Sequence, residues 1–172
     1  MTSLKHEIEQ QRPFNSLEEE ALLNLIRTSD RIQRAAYRSI RGWGITPAQY
    51  NVLRILRGAH PDGLTCSAIG DRMIAAEPDI TRLLARLKTA KLIHQQRDRR
   101  DRRVLWTHIA PAGLRLLEEM DPIVNQAPVD LLGHMPPAEL NELIRLLELA
   151  RRPCTGVSAN STQEGPSVDQ SA

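Results

Sequence analysis

Apolar positions recur at helical spacing along most of the chain and alternate over one short stretch. Ser16 opens SLEE, a capping box in which Ser16 and Glu19 can satisfy each other's backbone donors. Leu22, Leu25, Ser29, Ile32, Ala36, Ile40 and Trp43 then recur at three- and four-residue steps, predicting a long amphipathic helix that Gly42 and Gly44 end. Thr46 and Pro47 are the cap and first turn of a second helix, TPAQYNVLRILRGA, with Val52, Leu53, Ile55 and Leu56 facing a core. Thr65 caps a short third helix reaching about Met73, with Ala68, Ile69 and Met73 buried. Pro78 suits the first turn of a fourth, PDITRLLARLKTAK, whose Ile80, Leu83, Leu84 and Leu87 turn inward and leave Asp79, Arg82, Arg86 and Thr81 outward.

The period then changes. LIHQQ and VLWTHI are short and alternating, and RDRRDRR at 97–103 between them predicts a β-hairpin with a charged tip. A fifth helix starts near Pro111 or Ala112, where Pro122 and Pro128 should kink or interrupt it. Pro136 and Pro137 start a last helix with a stripe of Leu140, Leu143, Ile144, Leu147 and Ala150. Residues 1–15 read as a polar arm without a clear period, and 153–172 as a disordered tail of small polar residues.

Charge adds what the period cannot. The net charge over 172 residues is only +2, but residues 72–103 hold ten basic and four acidic side chains, and residues 104–172 hold four and nine. A basic helix face beside a basic loop is the footprint of duplex nucleic acid, since each neutralised phosphate releases condensed counterions. A charged run alone is more often a solvated turn. Helix, turn, helix and then a charged hairpin is, however, the winged helix-turn-helix order, whose second helix enters the major groove while the wing reaches the minor groove. The expected fold is therefore mainly α with a small β wing. Aromatic residues make up 3% of the chain, too few for a base-stacking platform. Two cysteines, Cys66 and Cys154, make no disulfide framework and point to a reducing cytosol. No apolar run approaches a membrane span, so no membrane partner is expected. No nucleophile, phosphate loop or paired carboxylates indicate an enzyme or a cofactor. His6, His60, His94, His108 and His134 show no ligand spacing, so no metal is expected.

TPAQYNVLRILRGA, GLTCSAIGDRMI, PDITRLLARL and RDRRDRRVLWTHIAPAG, in this order and spacing, resemble the MarR family of bacterial transcription regulators from about Ser16 to Arg152. The resemblance implies a cytoplasmic, nucleoid-associated homodimer on a near-palindromic DNA operator. It further implies a repressor released by a small phenolic or lipophilic effector, or by thiol oxidation. The corresponding division is an arm over 1–15, a dimerisation helix over 16–45, the winged helix-turn-helix region over 46–110, C-terminal dimerisation helices over 111–152, and the tail. A winged-helix module for protein contact or chromosome architecture is the alternative.

Arg82 and Arg86, spaced i, i+4 on the outward face of the recognition helix, can reach one groove. Arg82 suits a guanine edge or a phosphate; Arg86 suits the same or a brace against the wing. Thr81 stands by the phosphate-favouring helix N-terminus, and Asp79 is either an acceptor from a cytosine amino group or a first-turn helix charge. In the wing, Asp101 and Arg103 match the family's Asp-x-Arg pattern, in which the acid can hold the guanidinium ready for the minor groove. Arg99, Arg100 and Arg102 are phosphate contacts or solvated. The chain departs from the family at Ala85, where an acid is common, which removes a salt bridge that would fix Arg86. By location Tyr37, Trp43 and Tyr50 are effector-pocket candidates or core aromatics, and Cys66 stands outside the family's usual peroxide-sensing position.

Overall fold

In the computed structural model, which describes residues 3–152, the chain divides into two units after Leu131. The first unit begins with a short helix, α1 (Leu4–Glu7), in the segment expected to be a featureless arm. Leu4 is buried, and the Glu7 carboxylate meets Arg31 at 2.8 Å and Arg27 at 3.7 Å on α2 (Leu17–Ile40). Four residues are too few to show a period, so the helix leaves no trace in the apolar pattern. Ser16 caps α2 as expected, accepting from Glu19 N–H at 3.2 Å, although the Glu19 carboxylate reaches back to Asn15 N–H rather than to Ser16. A 3-10 turn (Arg41–Trp43) and Gly44, at φ 70°, end the element.

Thr46 and Gln49 form the complete reciprocal capping box of α3 (Pro47–Gly58), which buries Val52, Leu53 and Leu56. A two-residue strand, β1 (Leu64–Thr65), leads into α4 (Cys66–Gly70), capped by Thr65. The helix stops at Gly70 instead of running to Met73. There Asn51 of α3 accepts from Ile74 N–H at 3.0 Å, so a tertiary bond replaces a further helical turn. The recognition helix, α5 (Ile80–Thr89), starts later than expected. Pro78 lies outside it because Asp79, which carries a side-chain acceptor, takes the cap.

β2 (Ile93–Arg97) and β3 (Leu105–Ile109) pair antiparallel from Ile93 opposite Ile109 to Arg97 opposite Leu105, and β1 joins the other edge of β3. Ile93, Thr107 and Ile109 face inward. With Leu53, Leu56, Ile69, Leu84, Leu87, Leu117 and Met120 the two isoleucines form one apolar core under the sheet and helices. Gly63, at φ 74°, packs so closely on β3 that a Cβ there would stand 2.6 Å from a His108 ring nitrogen.

The prolines do not break the fifth long element into two. α6 (Pro111–Leu132) runs through Pro122 and Pro128. Both prolines are exposed, so each carbonyl deprived of its intrahelical donor is within reach of water, and the buried Leu117 and Met120 hold the helix on the core. An ion pair in which Arg57 Nη1 donates to both carboxylate oxygens of Asp121, at 2.8 and 3.0 Å, further ties α6 to α3. The second unit is α7 (Pro137–Arg151), which starts after Pro136 as expected and has no buried residue. The tail at 153–172, including Cys154, lies outside the described residues.

Candidate nucleic-acid interface

The apolar face of α5 decides where its charges point. Leu83, Leu84 and Leu87 are buried at 7%, 2% and 0% exposure, so Thr81, Arg82, Ala85 and Arg86 on the other side face solvent. Neither arginine has an ion-pair partner among the described residues, and no hydrogen bond or ion pair joins Arg86 to the wing. With Ala85 in place of an acid, nothing at that position draws the Arg86 guanidinium inward. Asp79 is the helix cap: its carboxylate accepts from Arg82 N–H at 2.9 Å. That bond organises the turn from which Arg82 projects. Asp79→Ala is expected to cost about 1 kcal/mol of stability, whereas Asp79→Ser, which keeps an acceptor, should cost little. Thermal denaturation of the two variants checks this.

The wing loop is organised by Asp98, a residue that the charge pattern alone does not single out. Asp98 accepts from Arg100 N–H at 2.7 Å and Asp101 N–H at 2.9 Å through one oxygen, and from the Trp106 indole N–H at 3.0 Å through the other. Donation from Asp101 and Arg100, then from Trp106, holds its carboxyl below the usual carboxylate range. An Asp at the start of a tight loop, followed by polar residues, is the signal that could have revealed it. Arg97 donates to the Arg102 carbonyl at 2.6 Å, closing the loop from the other side.

Asp101 does not hold the Arg103 guanidinium. Its Oδ1 accepts instead from the Arg103 backbone N–H at 2.9 Å. The pair lies in the turn at 98–104 rather than on a strand, and there an Asx turn puts the acid next to the backbone donor two residues on. The side chains of Arg99, Arg100, Arg102 and Arg103 are left free of described partners around the tip. Because Asp98 has a lowered folded-state value, its ordering contribution is full above the ordinary carboxylate range and is lost only as pH falls through that lower value. Wing order, followed by Trp106 fluorescence, should thus be constant from neutral pH down to the ordinary Asp range and fail below it. Asp98→Ala should abolish this transition.

α5 packs on β2, so one core carries both the cationic helix face and the wing. The sequence profile of the MarR family matches residues 43–104, which span α3 to the wing tip. A MarR transcription factor from Planctomyces limnophilus is 42% identical, with a TM-score of 0.62, over 80% of this chain and 99% of that one. The chain belongs to the MarR family. It is accordingly a winged helix-turn-helix, DNA-binding transcriptional regulator. Among other relatives, BpsR of Bordetella bronchiseptica is 26% identical with a TM-score of 0.71, covering 82% of this chain and 99% of that one. YkoM of Bacillus subtilis (strain 168), an uncharacterized HTH-type transcriptional regulator, is 26% identical over 141 residues, 80% of this chain and 90% of its own.

The three aromatic candidates for a MarR-type effector pocket are not alike. Tyr37 is 46% exposed on α2, while Trp43 and Tyr50 are half-buried against the core. Burial pushes the Tyr50 phenol up, and the Arg54 guanidinium lies over its ring at 5.9 Å. Cys66 is a half-buried free thiol at the start of α4. No helix among the described residues is long and apolar enough to cross a membrane.

Proposed function

We propose that the chain acts in the cytoplasm, on the nucleoid, as a homodimeric repressor of a near-palindromic operator, released by a small phenolic or lipophilic effector. The observation that carries this reading is the concentration of partnerless arginines on the two elements that a winged helix presents to DNA. Arg82, Arg86 and Thr81 would enter the major groove. Arg103 would reach the flanking minor groove, with Arg99, Arg100 and Arg102 on phosphates. Asp79 and Asp101 would act by holding the backbone beneath them. The DNA binding of BpsR is regulated by 6-hydroxynicotinic acid, a small aromatic compound, which supports effector control here. Tyr37, Trp43 and Tyr50 are the proposed contacts.

Dimerisation is supported by apolar surface that one protomer leaves open. Leu17, Leu22, Leu25 and Ile26 on α2 are 80%, 56%, 41% and 57% exposed, and Ile144, Leu146 and Leu149 on α7 are 54%, 46% and 48% exposed. Covering these on a two-fold axis would set two recognition helices about 34 Å apart, one turn of DNA.

The deciding experiment selects bound genomic fragments with purified protein and then titrates a recovered operator and a scrambled duplex by fluorescence anisotropy. Binding to the operator should be tighter at about 0.15 M salt and fall with a log–log slope of about −0.9 per phosphate neutralised. Arg103→Ala should weaken binding and leave the preferred core bases unchanged. Equal affinity for operator and scrambled DNA would instead favour an architectural role.

A further inference from the structure

We infer that the outer face of the wing holds a site for a divalent transition cation of the zinc, nickel and copper class, built from His94 of β2 and His108 of β3. The two are distant in the chain, but the antiparallel register sets them directly opposite each other. Their neighbours Ile93 and Ile109 are buried, so strand alternation turns both imidazoles to the outer face, where His94 is exposed and His108 half-buried. The rings lie nearly parallel, at 10°, with centroids 5.0 Å apart.

His108 is already set as a ligand. Its Nδ1 is 3.1 Å from the Pro61 carbonyl oxygen. A carbonyl only accepts, so Nδ1 is the donor, and the neutral ring carries its free lone pair on Nε2. A ring N–H given to a backbone carbonyl is the usual outer support of a metal-bound histidine. Gly63 packs against the same ring, limiting its movement on that side. His94 has no hydrogen-bond partner among the described residues and is free to turn. With metal–nitrogen bonds of about 2.0–2.1 Å, the two nitrogens must come within roughly 4 Å, and because imidazole lone pairs lie in the ring planes, His94 must turn out of the parallel stack for the two to converge on one ion.

The remaining coordination positions are open. His108 and Asp62 line one shallow concavity of about 400 Å³. The Asp62 carboxylate has no described partner, while Asp98, on the same wall, already accepts three hydrogen bonds. No three His, Cys, Asp or Glu among the described residues form a ready-made metal cage, so the cation would be held by two imidazoles plus water. Imidazole donors select borderline transition cations over magnesium or calcium. The bound ion would link β2 to β3 near the base of the wing. None of this depends on which DNA sequence the protein reads.

The test uses the tag-free, full-length protein and zinc chloride alone, titrated calorimetrically. One zinc site per protomer is expected that depends on His94. His94→Ala, chosen because that side chain is exposed, should keep its circular dichroism spectrum and bind at least about tenfold more weakly, as should His108→Gln, while His134→Ala should bind as wild type. As a second readout, sub-stoichiometric copper(II) should broaden the His94 and His108 ring resonances before those of His6, His60 and His134. Zinc affinity unchanged in folded His94→Ala, or broadening that begins at another histidine, would overturn the proposal and leave the pair as a cross-strand ring contact.

Discussion

Arg82→Ala is expected to weaken operator binding by about 1–3 kcal/mol while barely changing affinity for random duplex. The side chain projects from the exposed face of α5, and its backbone N–H is the one that Asp79 caps. The base of the side chain is therefore held while the guanidinium itself has no partner among the described residues. Its fork of donors is free to span the O6 and N7 acceptors of a guanine. Arg82→Lys separates charge from shape: the ammonium keeps the phosphate attraction and the salt slope, but cannot reproduce the fork. Base preference should be lost in both variants. If both instead lose operator and random affinity by the same factor, Arg82 is a phosphate contact and the reading of bases must be sought at Arg86 and Thr81.

Helices α2, α3, α5 and α7 are legible in the sequence because each repeats its apolar positions over several turns and carries a local end signal. Thr46 shows this best: read from the sequence as a cap, it closes a reciprocal box with Gln49 in the structure. The hairpin is legible for the same reason, since a change from helical spacing to alternation needs no knowledge of distant residues. What escapes depends on distant partners. β1 is two residues long and exists only because β3 offers it an edge. α4 ends early because Asn51, 23 residues away, bonds Ile74. Pro122 and Pro128 have a strong local meaning, which the packing of Leu117 and Met120 overrides. At the interface, composition and order locate the cationic elements but not the bonds within them. Asp101, expected to hold a guanidinium, serves a backbone N–H, while Asp98, which gathers three donors, is hidden among neighbouring charges. The juxtaposition of His94 with His108 likewise needs the strand register, which no spacing along the chain expresses.

Leu84→Ala should be the most destabilising of these substitutions, for a reason that also bears on DNA binding. Leu84 is 2% exposed and belongs to the core on which α5 is seated, on the opposite face of the helix from Arg82 and Arg86. Truncating a buried leucine removes transfer energy and leaves a cavity, together about 2–5 kcal/mol. For a chain of this size that corresponds to a fall in Tm of roughly 4–20 °C. The recognition helix then loses its seat while keeping every charge. Operator affinity should therefore decline with the folded fraction as temperature rises and recover on cooling, in step with the circular dichroism signal. Arg82→Ala should behave in the opposite way, with an unchanged Tm and a binding defect that cooling does not repair. Should Leu84→Ala remain fully folded and still lose operator binding at low temperature, the cavity will have tilted α5 without unfolding it, and the positioning of the arginines would depend on core shape more finely than on core stability.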